Sequence, residues 1–183
     1  VCPSCLAGRW RAVAAAPLDP DKAIVAAHVA TDAFGRIDIV LHLVGGFASG
    51  VPIVELDGST TQVMLDQHVG TTLNIIRAVV PGMIEQAWGR IVAAATSASL
   101  TAPAKSGPYA AAKAAQEVLL RSLAKEVSAE GVTVNLIGMR AIDEQHEREI
   151  APSTKNAAWT TTEGAVSPRV FRGPDEAAGN PRS

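Results

Sequence analysis

The sequence is poor in cysteine, and this scarcity restricts metal and redox chemistry. Its two cysteines stand in one segment near the first residue, Cys2-Pro3-Ser4-Cys5, and its four histidines are scattered along the chain. A structural zinc site needs four closely spaced ligands, and a redox pair is expected before a helix in a thioredoxin-like unit. The sequence matches neither pattern, so we predict no metal site.

Excess charge and long apolar runs are lacking as well. The formal net charge of -2 gives no reason to expect nucleic acid or an anionic membrane as a partner. No apolar run approaches the roughly 18 residues of a membrane span, and the first residues lack the charged and apolar regions of a secretory signal. We therefore expect no membrane partner and a cytoplasmic location.

A glycine-rich turn near the beginning of the chain is the third missing feature. A dinucleotide-binding fold starts with a strand, such a turn, and a helix whose N-terminus faces the pyrophosphate. The early glycines do not follow a first strand in that pattern; they are Gly8, Gly35, Gly45, Gly46 and Gly50. The usual phosphate-binding cradle is therefore absent from this sequence.

Strand-like and helix-like segments alternate along the chain. Helical patterns cover residues 21–34, 61–86 and 108–129, and apolar β-type runs cover residues 11–16, 37–44, 91–95 and 132–137. Such alternation predicts an α/β domain with a parallel sheet covered by helices on both faces. Residues 153–183 turn polar and rich in proline and glycine, which predicts a largely disordered tail.

The segment most suggestive of chemistry is Tyr109-Ala-Ala-Ala-Lys113, at the start of the third helical pattern. A spacing of four places both side chains on one face of a helix, one turn apart. A free phenol ionises only near pH 10, and a nearby ammonium group favours the phenolate that a tyrosine acid/base requires. The structural alternative is an ordinary aromatic residue at a helix start beside a solvated lysine.

The flanking segments extend this motif. The apolar run 89–95 ends in Thr96 and Ser97, and Thr96 lies thirteen residues before Tyr109. Residues 34–40, 43–46 and 77–83 are further segments that contribute to a family resemblance. In this order the sequence resembles the classical short-chain dehydrogenase/reductase family from about residue 18 to residue 152.

The resemblance implies a three-layer Rossmann-like parallel sheet that is incomplete at both ends. Aligned on the family, the chain starts near the third strand, so the first two strands and the last strand are missing. We expect an N-terminal tail at residues 1–10, a partial domain at residues 11–152 and the polar tail at residues 153–183. The 183 residues are few for a complete enzyme of this family.

The resemblance also implies roles for individual residues. Tyr109 would exchange a proton with the substrate oxygen, and Lys113 would hold the nicotinamide ribose and favour the phenolate. Thr96 or the adjacent Ser97 would hydrogen-bond the carbonyl oxygen, unless either hydroxyl only caps the strand end. His68 stands where the family relays protons through an asparagine; its alternative is a helix residue satisfied by a nearby carbonyl.

Two functions remain open on this basis. The first is an oxidoreductase that moves hydride between NAD or NADP and a small-molecule carbonyl or secondary alcohol, with Gly45, Tyr109 and Lys113 at the cofactor. The second is a catalytically silent fragment that acts at most as an association module. The missing phosphate turn, which in the family reads Thr-Gly-x-x-x-Gly-x-Gly, predicts weak or absent cofactor binding in either case.

The arrangement of the shortened sheet is a further expectation. In the family two strands separate the third strand from the fourth, so residues 11–16 cannot take their usual place. We expect them to pair directly with the strand at residues 37–44, giving a four-stranded sheet. The helices at 61–86 and 108–129 form the family's usual dimer face, so we also expect a homo-oligomer.

Overall fold

The structure is a computed structural model and describes residues 11–138, 142–143, 146–154, 156–157 and 159–161. Its helices are α1 (Pro20–Phe34), α2 (Gly58–Leu65), α3 (Thr71–Glu85), α4 (Ala98–Thr101), α5 (Gly107–Glu126) and α6 (Glu147–Ile150). Its strands are β1 (Ile39–His42), β2 (Gly89–Ala95), β3 (Val132–Gly138), β4 (Ile142–Asp143) and β5 (Thr160–Thr161). A short 3-10 turn (Ile53–Glu55) follows β1.

The three longer strands form one parallel sheet in the order β1-β2-β3. Ile39 pairs with Arg90 in one ladder, and Gly89 pairs with Val132 in the other. Parallel neighbours require crossover connections, which α2 and α3 supply between β1 and β2 and α5 supplies between β2 and β3. The predicted Rossmann-like α/β architecture with an incomplete sheet is confirmed. A separate parallel pair joins β4 to β5.

The prediction of a fourth strand at residues 11–16 is wrong. Residues 11–16 have no strand structure and are exposed, so β1 is an edge of the sheet in the part of the chain described. The segment that follows is attached to α3 instead, because the Asn74 amide donates to the carbonyls of Pro17 and Leu18 at 3.0 and 2.9 Å. These bonds hold residues 17–18 beside the helix rather than beside β1.

The hydrophobic core lies between one face of the sheet and the helices α1, α3 and α5. Met83 of α3 and Leu120 of α5 are each 1% exposed and pack with Ile91 and Ala93 of β2. Ala27 brings α1 into the same cluster. Burial of each large side chain contributes about 1.5–3 kcal/mol, so this cluster fixes α5 against the sheet.

The two sides of β1 differ in exposure. Val40 packs against the core and His42 is buried, whereas Ile39 and Leu41 are 63% and 60% exposed. Side chains alternate between faces along a strand, so the exposed residues share one face. An unpaired edge with exposed apolar side chains favours association with another chain.

The predicted helix at residues 61–86 contains a π-turn. Asp66–Gly70 forms one turn of π-helix between α2 and α3, where the backbone N–H of Thr71 donates to the carbonyl of Asp66. One extra residue in a turn displaces the side chains from regular helical spacing, and such insertions are frequent at functional sites. His68 lies on this turn and is buried.

Part of the polar segment after residue 152 is ordered around Asn156. The Asn156 side chain is buried; it accepts from the backbone N–H of Ser153 and donates to the carbonyls of Glu147 and Ala151. Residues 1–10, with both cysteines, and residues 162–183 lie outside the described part.

Among the described residues, no cluster of histidine, cysteine, aspartate or glutamate has a metal-binding arrangement. No helix there is long and apolar enough to cross a membrane.

Candidate active site

A cleft of about 580 Å³ lies at the carboxyl ends of β1 and β2. Its walls are the loop after β1, the π-turn, the end of β2 and the start of α5. Ligands of open parallel sheets bind outside the carboxyl ends of the strands. The cleft collects five of the predicted site residues: Gly45, His68, Thr96, Tyr109 and Lys113.

Tyr109 stands in the first turn of α5. Pro108 occupies an early helical position, where its missing N–H costs no hydrogen bond. The Tyr109 ring meets the ring of Phe47 at 4.9 Å and that of His68 at 5.6 Å, both edge to face. Its hydroxyl has no hydrogen-bond partner among the described residues, so the hydroxyl is available to a ligand in the cleft.

Lys113 lies one helical turn further along and is buried. Its ammonium donates to the carbonyl of Ala94 at 2.6 Å and to Oε1 of Gln116 at 2.8 Å. Burial lowers the pKa of Lys113, and the nearby Glu117 carboxylate opposes that effect. An ammonium has three N–H groups, so one remains without a partner among the described residues.

Glu117 supports this end of β2. Its carboxylate accepts from Arg121 at 3.1 Å on one oxygen and from the backbone N–H of Thr96 at 3.4 Å on the other. The side chain of Glu117 is 6% exposed, whereas that of Arg121 is 48% exposed. The carboxylate therefore links α5 to the residue that follows β2.

The two candidate hydroxyls occupy different places. Thr96 lines the cleft, and its Oγ1 accepts from the backbone N–H of Ala98 at 3.3 Å. A hydroxyl that accepts one bond still has its own hydrogen to donate. Ser97 is exposed, does not line the cleft, and its carbonyl accepts from the hydroxyl of Thr101.

His68 is held by the loop after β1. Its Nε2 lies 2.9 Å from the carbonyl oxygen of Gly46 and 3.4 Å from the backbone nitrogen of the same residue. One ring nitrogen cannot donate and accept at once, and we assign the hydrogen to Nε2 because the carbonyl contact is shorter. Nδ1 is then a buried acceptor without a partner among the described residues. Burial lowers the pKa of His68, which favours the neutral ring.

Gly45 and Gly46 pack so closely against the π-turn that neither position has room for a side chain. A Cβ on Gly45 would lie within 3 Å of the His68 ring, and one on Gly46 would collide with the Gln67 amide. At both glycines the backbone therefore lies directly against side chains of the π-turn. Gly45 still lines the cleft.

A buried polar network behind the cleft was not predicted from the sequence. Gln116 donates to Oγ1 of Thr72 at 2.8 Å and to the carbonyl of His68 at 3.2 Å, and His42 contacts the same Oγ1 at 2.8 Å. Gln116 follows Lys113 by three residues, and Glu117 follows it by four. That helical spacing, which places all three on one face, was the available signal.

A parallel α/β sheet with a tyrosine, a lysine and a hydroxyl at its carboxyl edge defines a class of proteins that bind ligands at strand ends. The short chain dehydrogenase family model matches residues 11–155. The chain belongs to this family, and the resemblance drawn from its motifs is confirmed.

The relatives give the extent of the match. The chain is 32% identical over 103 residues to the uncharacterized oxidoreductase YmfI of Bacillus subtilis, covering 56% of this chain and 43% of that protein. It is 32% identical over 119 residues to a 2-dehydro-3-deoxy-L-rhamnonate dehydrogenase (NAD+) of a Sphingomonas species, covering 64% and 48%. The chain thus spans about half the length of these relatives.

A solved structure supports the fold. A metagenomic short-chain oxidoreductase in complex with NADP superposes with a TM-score of 0.69 at 22% identity. The match covers 75% of this chain and 62% of the other.

Proposed function

We propose that this chain takes part in hydride exchange between a nicotinamide cofactor and a small-molecule carbonyl or secondary alcohol, with Tyr109 as the acid/base. The observation that carries the proposal is the placing of Tyr109, Thr96 and Lys113 in one cleft at the strand ends. Similarity to an NAD+ dehydrogenase and to an NADP-bound oxidoreductase supports a nicotinamide cofactor and leaves the choice between the two forms open.

Three residues of the cleft have separate roles in the proposed proton transfer. Tyr109 gives its phenolic proton to the oxygen of a carbonyl substrate, or takes a proton from an alcohol. The Thr96 hydroxyl donates to the same oxygen and orients it. A buried ammonium stabilises a developing phenolate more strongly than a solvated one, because water screens it less. When bound, the nicotinamide supplies or accepts the hydride.

The cleft fits one end of the cofactor only. Lys113 has an N–H without a partner among the described residues, and this N–H suits a ribose hydroxyl. Gly45 lines the same space. No glycine-rich turn follows a first strand in the sequence, so the pyrophosphate has no donors of that kind from this chain.

His68 is proposed to take part in a proton relay at Tyr109, with Nδ1 as the atom that accepts the proton. The neutral ring keeps Nδ1 as an acceptor, while Nε2 is used by the carbonyl of Gly46. The edge-to-face contact between the rings of His68 and Tyr109 supports this role. The bond to Gly46 also agrees with a purely structural histidine, so substitution must distinguish the two roles.

The second candidate function is a catalytically silent association module. The exposed apolar residues of the β1 edge favour it, and so does the missing phosphate turn. This alternative predicts self-association without any hydride transfer.

A turnover assay distinguishes the two functions. The purified chain is incubated with NADH or NADPH at several millimolar and a panel of aldehydes and ketones, and the alcohol product is quantified by chromatography. We expect slow reduction that Tyr109→Phe abolishes while the circular dichroism spectrum is unchanged. No reduction of any carbonyl would leave the association module as the function, and equal rates in the Tyr109→Phe variant would refute the acid/base role of Tyr109.

A further inference from the structure

Gln116 is almost completely buried, at 1% exposure, and every polar atom of its side chain has a partner. Its Oε1 accepts from the Lys113 ammonium, and its Nε2 donates to Oγ1 of Thr72 and to the carbonyl of His68. An ammonium can only donate and a carbonyl can only accept. The amide therefore fits its site in one orientation only.

The hydrogen positions around Gln116 follow from this orientation. The Thr72 hydroxyl has one hydrogen, which it gives to the carbonyl of His68 at 2.5 Å. Oγ1 of Thr72 must then accept from Gln116 and from Nε2 of His42. His42 is thereby fixed as the Nε2–H tautomer. Each hydrogen bond of the network then has one donor and one acceptor, and all its members are neutral except Lys113.

We propose that Gln116 is a positioning residue that holds the Lys113 ammonium at the end of β2 and ties it to the backbone of the π-turn at His68. The proposal deepens the function proposed above and rests on it, because the place of the ammonium matters for catalysis only if Lys113 serves the cofactor and Tyr109.

Two fixed acceptors determine where the third N–H of Lys113 points. The carbonyl of Ala94 alone would let the ammonium rotate about a single bond, whereas Oε1 of Gln116 supplies the second fixed point. The same amide joins Lys113 to the backbone of His68, so the two cleft residues keep a constant separation. Gln116 acts through Lys113 and does not line the cleft itself.

The titratable groups that face Lys113 come from three elements. Glu117 is on the same helix, His42 is on β1 and His68 is on the π-turn; the carboxylate favours the charged ammonium. A carboxylate in place of the Gln116 amide would add a second negative group at hydrogen-bond distance. The substitution Gln116→Glu therefore raises the pH at which Lys113 loses its proton, and Gln116→Met, which has neither donor nor acceptor of comparable strength, frees the ammonium.

The test uses nitrogen-15 NMR of the lysine ammonium groups, with the Lys113 signal assigned by its loss in Lys113→Arg. We expect hydrogen exchange at Lys113 to be at least tenfold slower than at the exposed Lys22. In Gln116→Met this protection falls at least tenfold, whereas Gln116→Glu keeps it and titrates at higher pH. The matched control is Gln62→Met on the exposed surface of α2, which leaves the Lys113 signal unchanged.

The result is independent of turnover, since no cofactor or substrate is added. Unchanged exchange and titration of Lys113 in both Gln116 variants would overturn the proposal. If Gln116→Met does not fold, Gln116→Glu decides alone, because it keeps the shape of the side chain and the acceptor for Lys113 and loses only the two bonds that the amide donates. Where the turnover assay gives a rate, Gln116→Glu should move its pH profile upward, and an unmoved profile also counts against the proposal.

Discussion

The ring of His68 meets the ring of Tyr109 edge to face, with 5.6 Å between their centroids. His68 reaches this place because the π-turn at Asp66–Gly70 interrupts the helix and because Gly45, without a side chain, leaves room for the imidazole. Tyr109 reaches it from the first turn of α5. The contact thus joins two segments that are far apart in the sequence at one wall of the cleft.

The affinity for nicotinamide cofactors is the first quantity to measure. Charge-assisted contacts contribute about 1.5–3 kcal/mol each, and the pyrophosphate lacks several of them without a glycine-rich turn. We predict no saturable binding of NAD(H) or NADP(H) below millimolar concentration by calorimetry or by fluorescence of the reduced cofactor. Saturation in the low micromolar range would contradict this prediction.

Lys113 should be necessary for any carbonyl reduction. The change Lys113→Met removes the buried ammonium that stabilises a phenolate and offers an N–H to the ribose. We expect the rate to fall about 100-fold or more, in the range typical of lost acid/base catalysis. The matched control, Lys125→Met near the end of the same helix, is exposed and should leave the rate unchanged. Comparable rates in both variants would refute a role for Lys113.

Thr96 and Ser97 can be separated by substitution. Thr96 lines the cleft and has its hydroxyl hydrogen available, whereas Ser97 is exposed and outside the cleft. We expect Thr96→Val to lower kcat/KM about tenfold or more, corresponding to loss of one hydrogen bond in the transition state. Ser97→Ala should change it less than twofold. The reverse order of effects would assign the substrate contact to Ser97.

His42 should make folding sensitive to acid. Burial, with repulsion from Lys113 and His68, lowers the pKa of His42 from 6.5 to about 4. Between these pH values the unfolded chain binds a proton at His42 that the folded chain does not bind. The contribution of His42 to the free energy of unfolding is therefore complete above pH 6.5 and is lost as the pH falls toward 4. The difference corresponds to at most about 3 kcal/mol, since one pKa unit is about 1.4 kcal/mol.

Urea unfolding at pH 7.5 and pH 4.5 measures this contribution. His42→Asn, which has no proton to gain in this range, should lose much less stability between the two pH values than the wild-type chain. His28→Asn on α1 is the matched control, because His28 is exposed. An equal loss in wild type and His42→Asn would show that His42 is not the source.

The β1 edge should promote self-association. Ile39 and Leu41 are exposed on one face of β1, the edge strand of the described sheet, and Val118 of α5 is 62% exposed as well. We predict a dimer or larger species by light scattering at high micromolar concentration. Leu41→Lys should shift the distribution toward monomer, whereas Val54→Lys, in the exposed 3-10 turn and not in a strand, should not. A monodisperse wild-type monomer would refute the association.

The sequence by itself determined the alternation of strands and helices and the membership of the family. These features depend on local periodicity and on short motifs, which are properties of neighbouring residues. The strands at residues 37–44, 91–95 and 132–137 were predicted close to β1, β2 and β3 for this reason. The helical spacing of Tyr109 and Lys113 was equally local.

Only the tertiary structure decided what these residues contact. Nothing local distinguishes Thr96 from Ser97, yet the turn after β2 places one in the cleft and leaves the other exposed. The attachment of residues 17–18 to α3 depends on bonds from Asn74, which lies more than 50 residues later in the sequence. One partner of Lys113, the carbonyl of Ala94, likewise comes from β2. Such contacts depend on packing between distant segments, which short-range sequence patterns do not specify.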